Sequence, residues 1–303
     1  MSENKNLNLS QLLRIRLLLT HLKRNPYQTQ EVILDYFEAN DKSFTERTFY
    51  RLKQTLARDF GIEIVFDYKK QGYFFDEEKS TNPESFLSLL EVVTTAELFS
   101  TNFKEKNNAL SFLEFENRAV IETIPTFKTI LTAIQKQLPI TFKHYSFYHL
   151  KEESYTLKPY FLKQYQNRWY VIGETEKGYR TFGIDRIATI VQGTKKFKFK
   201  TEEAKDKFSH VIGLNYVDHP LEKIKLSFHP SQKPYLVSLP LHRSQKEVSS
   251  INEDSFDIEL LIHPNFEFNQ QLLKYGSLVT VVEPKWLVDE IKKEIKKVLR
   301  NYK

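Results

Sequence analysis

The 303-residue chain has no cysteine, which rules out disulfides and thiolate metal sites. It has eight glycines, and they are scattered. They form neither a GxGxxG turn nor a phosphate-binding loop, and no HExxH occurs. The eight histidines lack metal-ligand spacing, and His219, His229 and His263 each precede a proline, the mark of a chain turn. No run of about 18 apolar residues is present, so no membrane span is expected. The first 24 residues lack the basic, apolar and small-residue order of a signal peptide, which fits a cytoplasmic protein. No recognisable catalytic set of serines or carboxylates stands out. The chain is not expected to be an enzyme or to hold a cofactor or metal.

What is present is apolar, aromatic and basic. Hydrophobic residues make up 40% and aromatic residues 14%, enough for real cores in two or three domains. The net charge is +6, unevenly placed. Residues 128–210 hold 16 basic against 8 acidic residues, whereas residues 81–127 hold 3 against 7. An anionic partner is attracted to the basic segment, although a solvated lysine-rich surface gives the same count.

Residues 1–80 read as three helices and a hairpin. Leu9, Leu12, Leu13, Ile15, Leu17, Leu19 and Leu22 recur at helical spacing up to Asn25-Pro26. A second helix is predicted over 29–39. A third follows, capped by Ser43 or Thr45, with Phe49, Leu52 and Leu56 inward. Gly61 ends it, and alternation over 62–68 and 73–75 around a Lys69-Lys70 turn predicts two strands. A basic helix followed by a lysine-tipped hairpin describes a winged helix-turn-helix. Its candidate contacts to double-stranded operator DNA are Thr45, Arg47, Thr48, Tyr50, Arg51, Lys53, Lys69 and Lys70. A helical domain that docks on another protein is the plainer alternative.

Residues 81–137 read as a helical connector. One helix is suggested by Phe86, Leu89, Leu90, Val93 and Leu98, another by Leu110, Phe112, Leu113 and Phe115, and a third spans 126–137. Spacing the two ends and supplying dimer surface are the expected roles.

Residues 138–215 show short strands at 140–145, 155–159, 161–165, 168–173, 180–187 and 189–192, the spacing of a small barrel. The stretch Arg168 to Ile187 mixes rings (Trp169, Tyr170, Tyr179, Phe182) with arginines (Arg168, Arg180, Arg186). Rings stack on bases and guanidiniums fork onto phosphates, although a hairpin with one buried face also reads this way. Lys195, Lys196, Lys198 and Lys200 then alternate with Phe197 and Phe199, either a lysine-blunted edge strand or more basic surface.

Trp169-Tyr170-Val171, Phe182 and Ile184-Asp185-Arg186-Ile187, with Lys158-Pro159-Tyr160-Phe161-Leu162 upstream, resemble the signature of the WYL domain of bacterial transcriptional regulators. Val171 replaces the usual leucine. The family often has an arginine a few residues before the proline. Here that stretch is Tyr155-Thr156-Leu157, so one expected cationic contact is missing. The resemblance implies an Sm-like, SH3-type barrel. It also implies a nucleic-acid or nucleotide ligand that switches the DNA-binding end. Candidate ligand contacts are His144, Tyr145, Tyr160, Trp169, Tyr170, Arg180 and Arg186, with a local turn as the plainer role for His144 and an ion pair with Asp185 for Arg186. Related regulators commonly dimerise, and a homodimer matches a two-part DNA site.

Residues 216–303 read in the order β-α-β-β-α-β plus a helix, which is ferredoxin-like and resembles the extension that often follows WYL domains. The fold class is therefore α+β multidomain, in four parts: 1–80, 81–137, 138–215 and 216–303. The expected function is a DNA-binding regulator sensing an anionic ligand. The alternative is a nucleic-acid-handling accessory protein that binds single strands directly.

Overall fold

The structure, a computed structural model, describes residues 9–104, 124–147, 149–216, 219–250 and 254–302. It is a mixed α/β fold that divides into two compact units, residues 1–115 and 116–303.

In the first unit, α1 (Leu9–Arg24), α2 (Gln30–Glu38) and α3 (Glu46–Phe60) precede an antiparallel hairpin, β1 (Glu63–Asp67) and β2 (Gly72–Asp76). The predicted apolar stripes become one core: Ile15, Leu19, Ile33, Phe37, Phe49, Leu52 and Leu56 are all buried. Thr29 caps α2 by accepting from the Val32 N–H at 3.4 Å. Gly61 ends α3 in the left-handed conformation (φ 63°), which a side chain disfavours. A backbone bridge between Gln28 and Tyr73 adds a short third rung to the hairpin. α4 (Pro83–Lys104) lays Phe86 and Leu90 into this same core. The helix suggested by Leu110, Phe112, Leu113 and Phe115 lies outside the described residues.

The second unit begins with α5 (Ile124–Lys136), whose Ile130 and Ala133 are buried against the first sheet of this unit. The two described helices of residues 81–137 thus belong to different cores. The sheet runs β6-β5-β4-β3-β7, with each neighbouring pair antiparallel. Its strands are β3 (Ile140–Ser146), β4 (Lys151–Tyr165), β5 (Arg168–Thr175), β6 (Gly178–Gly183) and β7 (Ile187–Gln192). Two sequence expectations change here. The strands predicted at 155–159 and 161–165 are one long β4, bulged between Pro159 and Phe161, where proline supplies no N–H to the ladder. The strand predicted over 180–187 stops at Gly183, and Ile184–Arg186 forms a single 3-10 turn that re-aims Arg186 before β7.

The Lys195–Lys200 stretch forms no strand. Phe197 and Phe199 pack on the Tyr160 ring, with centroids 5.9 and 6.0 Å away, and Lys195, Lys196, Lys198 and Lys200 around them face solvent. α6 (Thr201–Ser209) follows.

The last sheet runs β11-β8-β10-β9, wholly antiparallel. It is built by β8 (Glu222–Phe228), α7 (Lys233–Ser238), β9 (Lys246–Val248), β10 (Phe256–Ile262), α8 (Phe266–Tyr275), β11 (Val279–Glu283) and α9 (Lys285–Arg300). This is the element order expected from the sequence. Strand alternation buries Ile224, Leu226, Phe228, Ile258, Leu260 and Ile262 against Phe268, Leu272 and Leu287 of the helices.

The segment between the two sheets is clamped from both sides. Lys163 Nζ on β4 donates to the Gly213 carbonyl at 2.6 Å, and Thr181 Oγ1 donates to the Leu214 carbonyl at 2.9 Å. Glu267 on α8 accepts from the Leu214 N–H and from Asn215. Among the described residues, no helix is long and apolar enough to cross a membrane.

Candidate nucleic-acid interfaces

In the second unit, cross-strand pairing decides which of the predicted residues meet. Paired residues share a sheet face, so Arg180, opposite Gly173, lies on the side of Phe182, opposite Val171. From there a continuous row forms. Arg180 and Tyr155 line one cleft of about 300 Å³. Tyr155 and Phe182 are 4.7 Å apart by ring centroid, and Phe182 meets His144 edge-on at 5.1 Å. His144 pairs across β3 and β7 with Ile187, the residue after Arg186, and the arginine's charge disfavours protonation of the imidazole. The Arg186 guanidinium is 4.5 Å from the centroid of Phe147. The row thus has rings and an imidazole in its middle and an arginine at each end.

The charges along it are set by burial and by neighbours. His144 is buried on β3, inside a strand and not in a turn. Burial first, and Arg186 second, push its pKa down to about 4, so the ring is neutral at pH 7. The Tyr155 hydroxyl donates to Glu153 Oε2 at 2.5 Å, which raises the tyrosine and lowers the carboxyl. Tyr155 stands in the stretch where the resemblance leads one to expect an arginine, so the middle of the row is aromatic. Arg186 does not pair with Asp185. That carboxylate is taken by Arg168 at 3.2 Å.

Other predicted contacts lie elsewhere. Trp169 is on β5, about 13 Å along the strand from Gly173, packed edge-on against Phe127 of α5 at 5.1 Å and 40% exposed. Tyr160 is fully buried. Its hydroxyl donates to Glu174 at 3.0 Å, and burial followed by that carboxylate raises it. Tyr170 is half-buried and raised by burial. Tyr145 is exposed on the β3 face opposite His144. Sequence reasoning missed Phe147. It follows β3 directly, but only the tertiary fold brings it to Arg186.

In the first unit, Thr45, Arg47, Tyr50 and Arg51 are exposed on the first turns of α3, and Thr48 and Lys53 are half-buried. Thr45 and Thr48 hydroxyls are 3.3 Å apart. Tyr50 is held in place: its hydroxyl donates to Gln30 at 3.2 Å and lies 3.3 Å from that of Tyr73. Burial and that contact push Tyr73 up to about 12. Lys53 sits 5.3 Å from the centroid of the same Tyr73 ring. At the hairpin tip, Asp67 accepts the backbone N–H groups of Lys69 and Lys70, at 2.8 and 3.0 Å, which fixes the turn. Lys70 lies over Tyr27, 3.7 Å from its centroid. No group of three His, Asp or Glu side chains able to hold a metal occurs among the described residues.

Residues 125–192 match the family model of the WYL domain, and residues 220–299 match that of the WCX domain. Both family matches fall in the second unit. The WYL match begins within α5, the helix whose buried face packs on that sheet. No curated protein matches the chain. Among solved structures, the chain is similar to proteasome accessory factor B/C (PafBC) of Arthrobacter aurescens. The identity is 20% over 93% of this chain, with a TM-score of 0.31, and the chain spans 46% of that protein's length. It is also similar to a CRISPR Cas-related protein, with 10% identity, 99% of this chain and 88% of the other covered, and a TM-score of 0.42.

Proposed function

We propose that the chain is a DNA-binding transcriptional regulator whose WYL domain senses an anionic ligand, single-stranded nucleic acid or a nucleotide. The observation that carries this reading is the row Arg180–Tyr155–Phe182–His144–Arg186. Its two arginines have no carboxylate partner among the described residues, and the rings between them are uncharged. Guanidiniums at the ends grip phosphates, and the partly exposed Tyr155 ring offers a face to a base, while Phe182 and His144 are buried and pack the row together. On this reading the first unit is a winged helix-turn-helix. Arg47, Thr48, Tyr50 and Arg51 enter the major groove of an operator, with Thr45 and Lys53 beside them and Lys69 and Lys70 on phosphates. The sheet of residues 140–192 is a small Sm-like barrel, and the β11-β8-β10-β9 domain is ferredoxin-like. A cytoplasmic homodimer reading a two-part site, without catalysis, completes the proposal. Ligand capture shifts the dimer only if the two DNA-binding states differ in ligand affinity.

A second reading is an accessory protein that binds single strands directly. The exposed Lys195, Lys196 and Lys198 favour it, since they extend the basic surface without a strand partner. Fluorescence anisotropy with a palindromic duplex and with a short single strand, each alone and both together, separates the two. The regulator prefers the duplex, and its duplex affinity changes when the single strand is added. The accessory protein prefers the single strand and shows no such coupling.

A further inference from the structure

The helices of the WCX domain hold a pocket that the nucleic-acid reading leaves unused. α8 and α9 face each other across it. Phe266 and Asn269 are one turn apart on α8, and Trp286 and Glu290 are one turn apart on α9, so each pair shares a helix face. With His219 they line a pocket of about 260 Å³. His219 lies against the Trp286 ring at 4.8 Å between centroids, tilted by 31°. Its backbone carbonyl is held by His263 Nδ1 at 2.6 Å, which fixes the approach of the chain. Phe266 is 65% exposed at the rim, a large apolar ring left in water beside two other rings.

The polar groups point to the sign of the missing partner. Asn269 Nδ2 donates to Glu290 Oε1 at 2.8 Å, which orients the carboxylate and leaves Oε2 for another donor. Asn269 Oδ1 is a buried acceptor without a donor. No lysine or arginine lines the pocket. Three ring systems, one oriented carboxylate and one unmet acceptor form an environment that attracts positive charge, with no lysine or arginine to hold an anion. Aromatic faces attract weakly hydrated cations, and a carboxylate beside them adds a charge-assisted hydrogen bond.

We infer that the pocket between α8 and α9 binds a small organic cation carrying N–H donors, an alkylammonium or guanidinium group, seated against Trp286, His219 and Phe266 and hydrogen-bonded to Glu290. This site is of opposite sign to the arginine row of the WYL domain, so one can fail without the other.

Isothermal titration of the full chain with agmatine tests it, with choline and inorganic phosphate as comparison probes. The expected result is saturable agmatine binding, weaker choline binding because choline has no N–H donor, and no phosphate binding. Glu290→Gln removes the charge at an exposed position and should weaken agmatine binding about tenfold. Phe266→Ala, also at an exposed position, should weaken both agmatine and choline, and neither variant should alter the melting temperature appreciably. The inference is overturned if agmatine does not bind the native chain, if phosphate binds in its place, or if both variants bind agmatine as the native chain does. Single-strand binding measured on the same Glu290→Gln sample should be unchanged, which keeps the two sites separable.

Discussion

Arg168 reaches across from the start of β5 to bind Asp185 at 3.2 Å, and so takes the carboxylate that stands next to Arg186 in sequence. Arg186 is left with the Phe147 ring as its neighbour and one guanidinium nitrogen, Nε, buried without a partner. The side chain is half-buried and has no carboxylate partner among the described residues, so its charge is left uncompensated. The exposed Arg168–Asp185 pair is worth little as a source of stability. Its effect is on which arginine remains open.

This predicts a salt signature. Replacing Arg180 or Arg186 by alanine should weaken single-strand binding about tenfold, the scale of one charge-assisted contact. Each replacement should also lower the slope of log affinity against log salt by about 0.7 if that arginine meets a phosphate. Anisotropy titrations across a salt series measure both. Binding of the palindromic duplex without ligand should be unchanged. An unaltered slope in both variants removes the arginine row as the ligand site.

His144 gives a pH prediction. Its folded pKa, about 4, lies below the ordinary 6.5, with burial the main cause and Arg186 the second. The unfolded chain therefore binds the proton first as pH falls. The stability linked to this group is fully present above about pH 6.5 and is lost as pH drops toward 4, on the order of 3 kcal/mol in all. His144→Phe keeps the ring and removes the titration. Denaturant melts at pH 7, 5.5 and 4.5 should show the gap between native and variant stability shifting in favour of the variant as pH falls. A constant gap would place the imidazole in contact with solvent.

Gly173 sits where β4 is bulged. A Cβ there would meet the Lys158 carbonyl oxygen at 2.2 Å and the Leu157 side chain at 2.9 Å. Gly173→Ala must push β4 and β5 apart and should cost on the order of 3 kcal/mol, read as a fall in the melting temperature of the second unit. A native-like melt would mean that the bulge yields without cost.

On α3, position and contact separate two neighbouring side chains. Tyr50→Phe loses the hydrogen bond to Gln30 and should cost about 1 kcal/mol of stability. Arg51→Ala, at an exposed position, should leave stability within about 0.5 kcal/mol and weaken duplex binding. Thermal melts paired with duplex anisotropy distinguish them. Equal loss of stability in both would give Arg51 a structural role.

The sequence by itself determined the elements. Helical spacing of Ile15, Leu19, Phe49, Leu52 and Leu56, alternation along β8 and β10, and the glycine after α3 are local facts, and each produced the expected local structure. It also carried the Trp169-Tyr170-Val171 signature of the WYL domain. What the sequence could not determine is which rings and arginines meet. Trp169 and Arg180 are both prominent in one short stretch, yet the strand between them holds them apart, with Trp169 against α5 and Arg180 beside Tyr155. That depends on the bulge at Pro159, the 3-10 turn at Ile184–Arg186 and the choice of Arg168 as Asp185's partner. The β4–β5 pairing that carries the bulge and the Arg168–Asp185 pair join residues distant in sequence, so only the packed chain decides them.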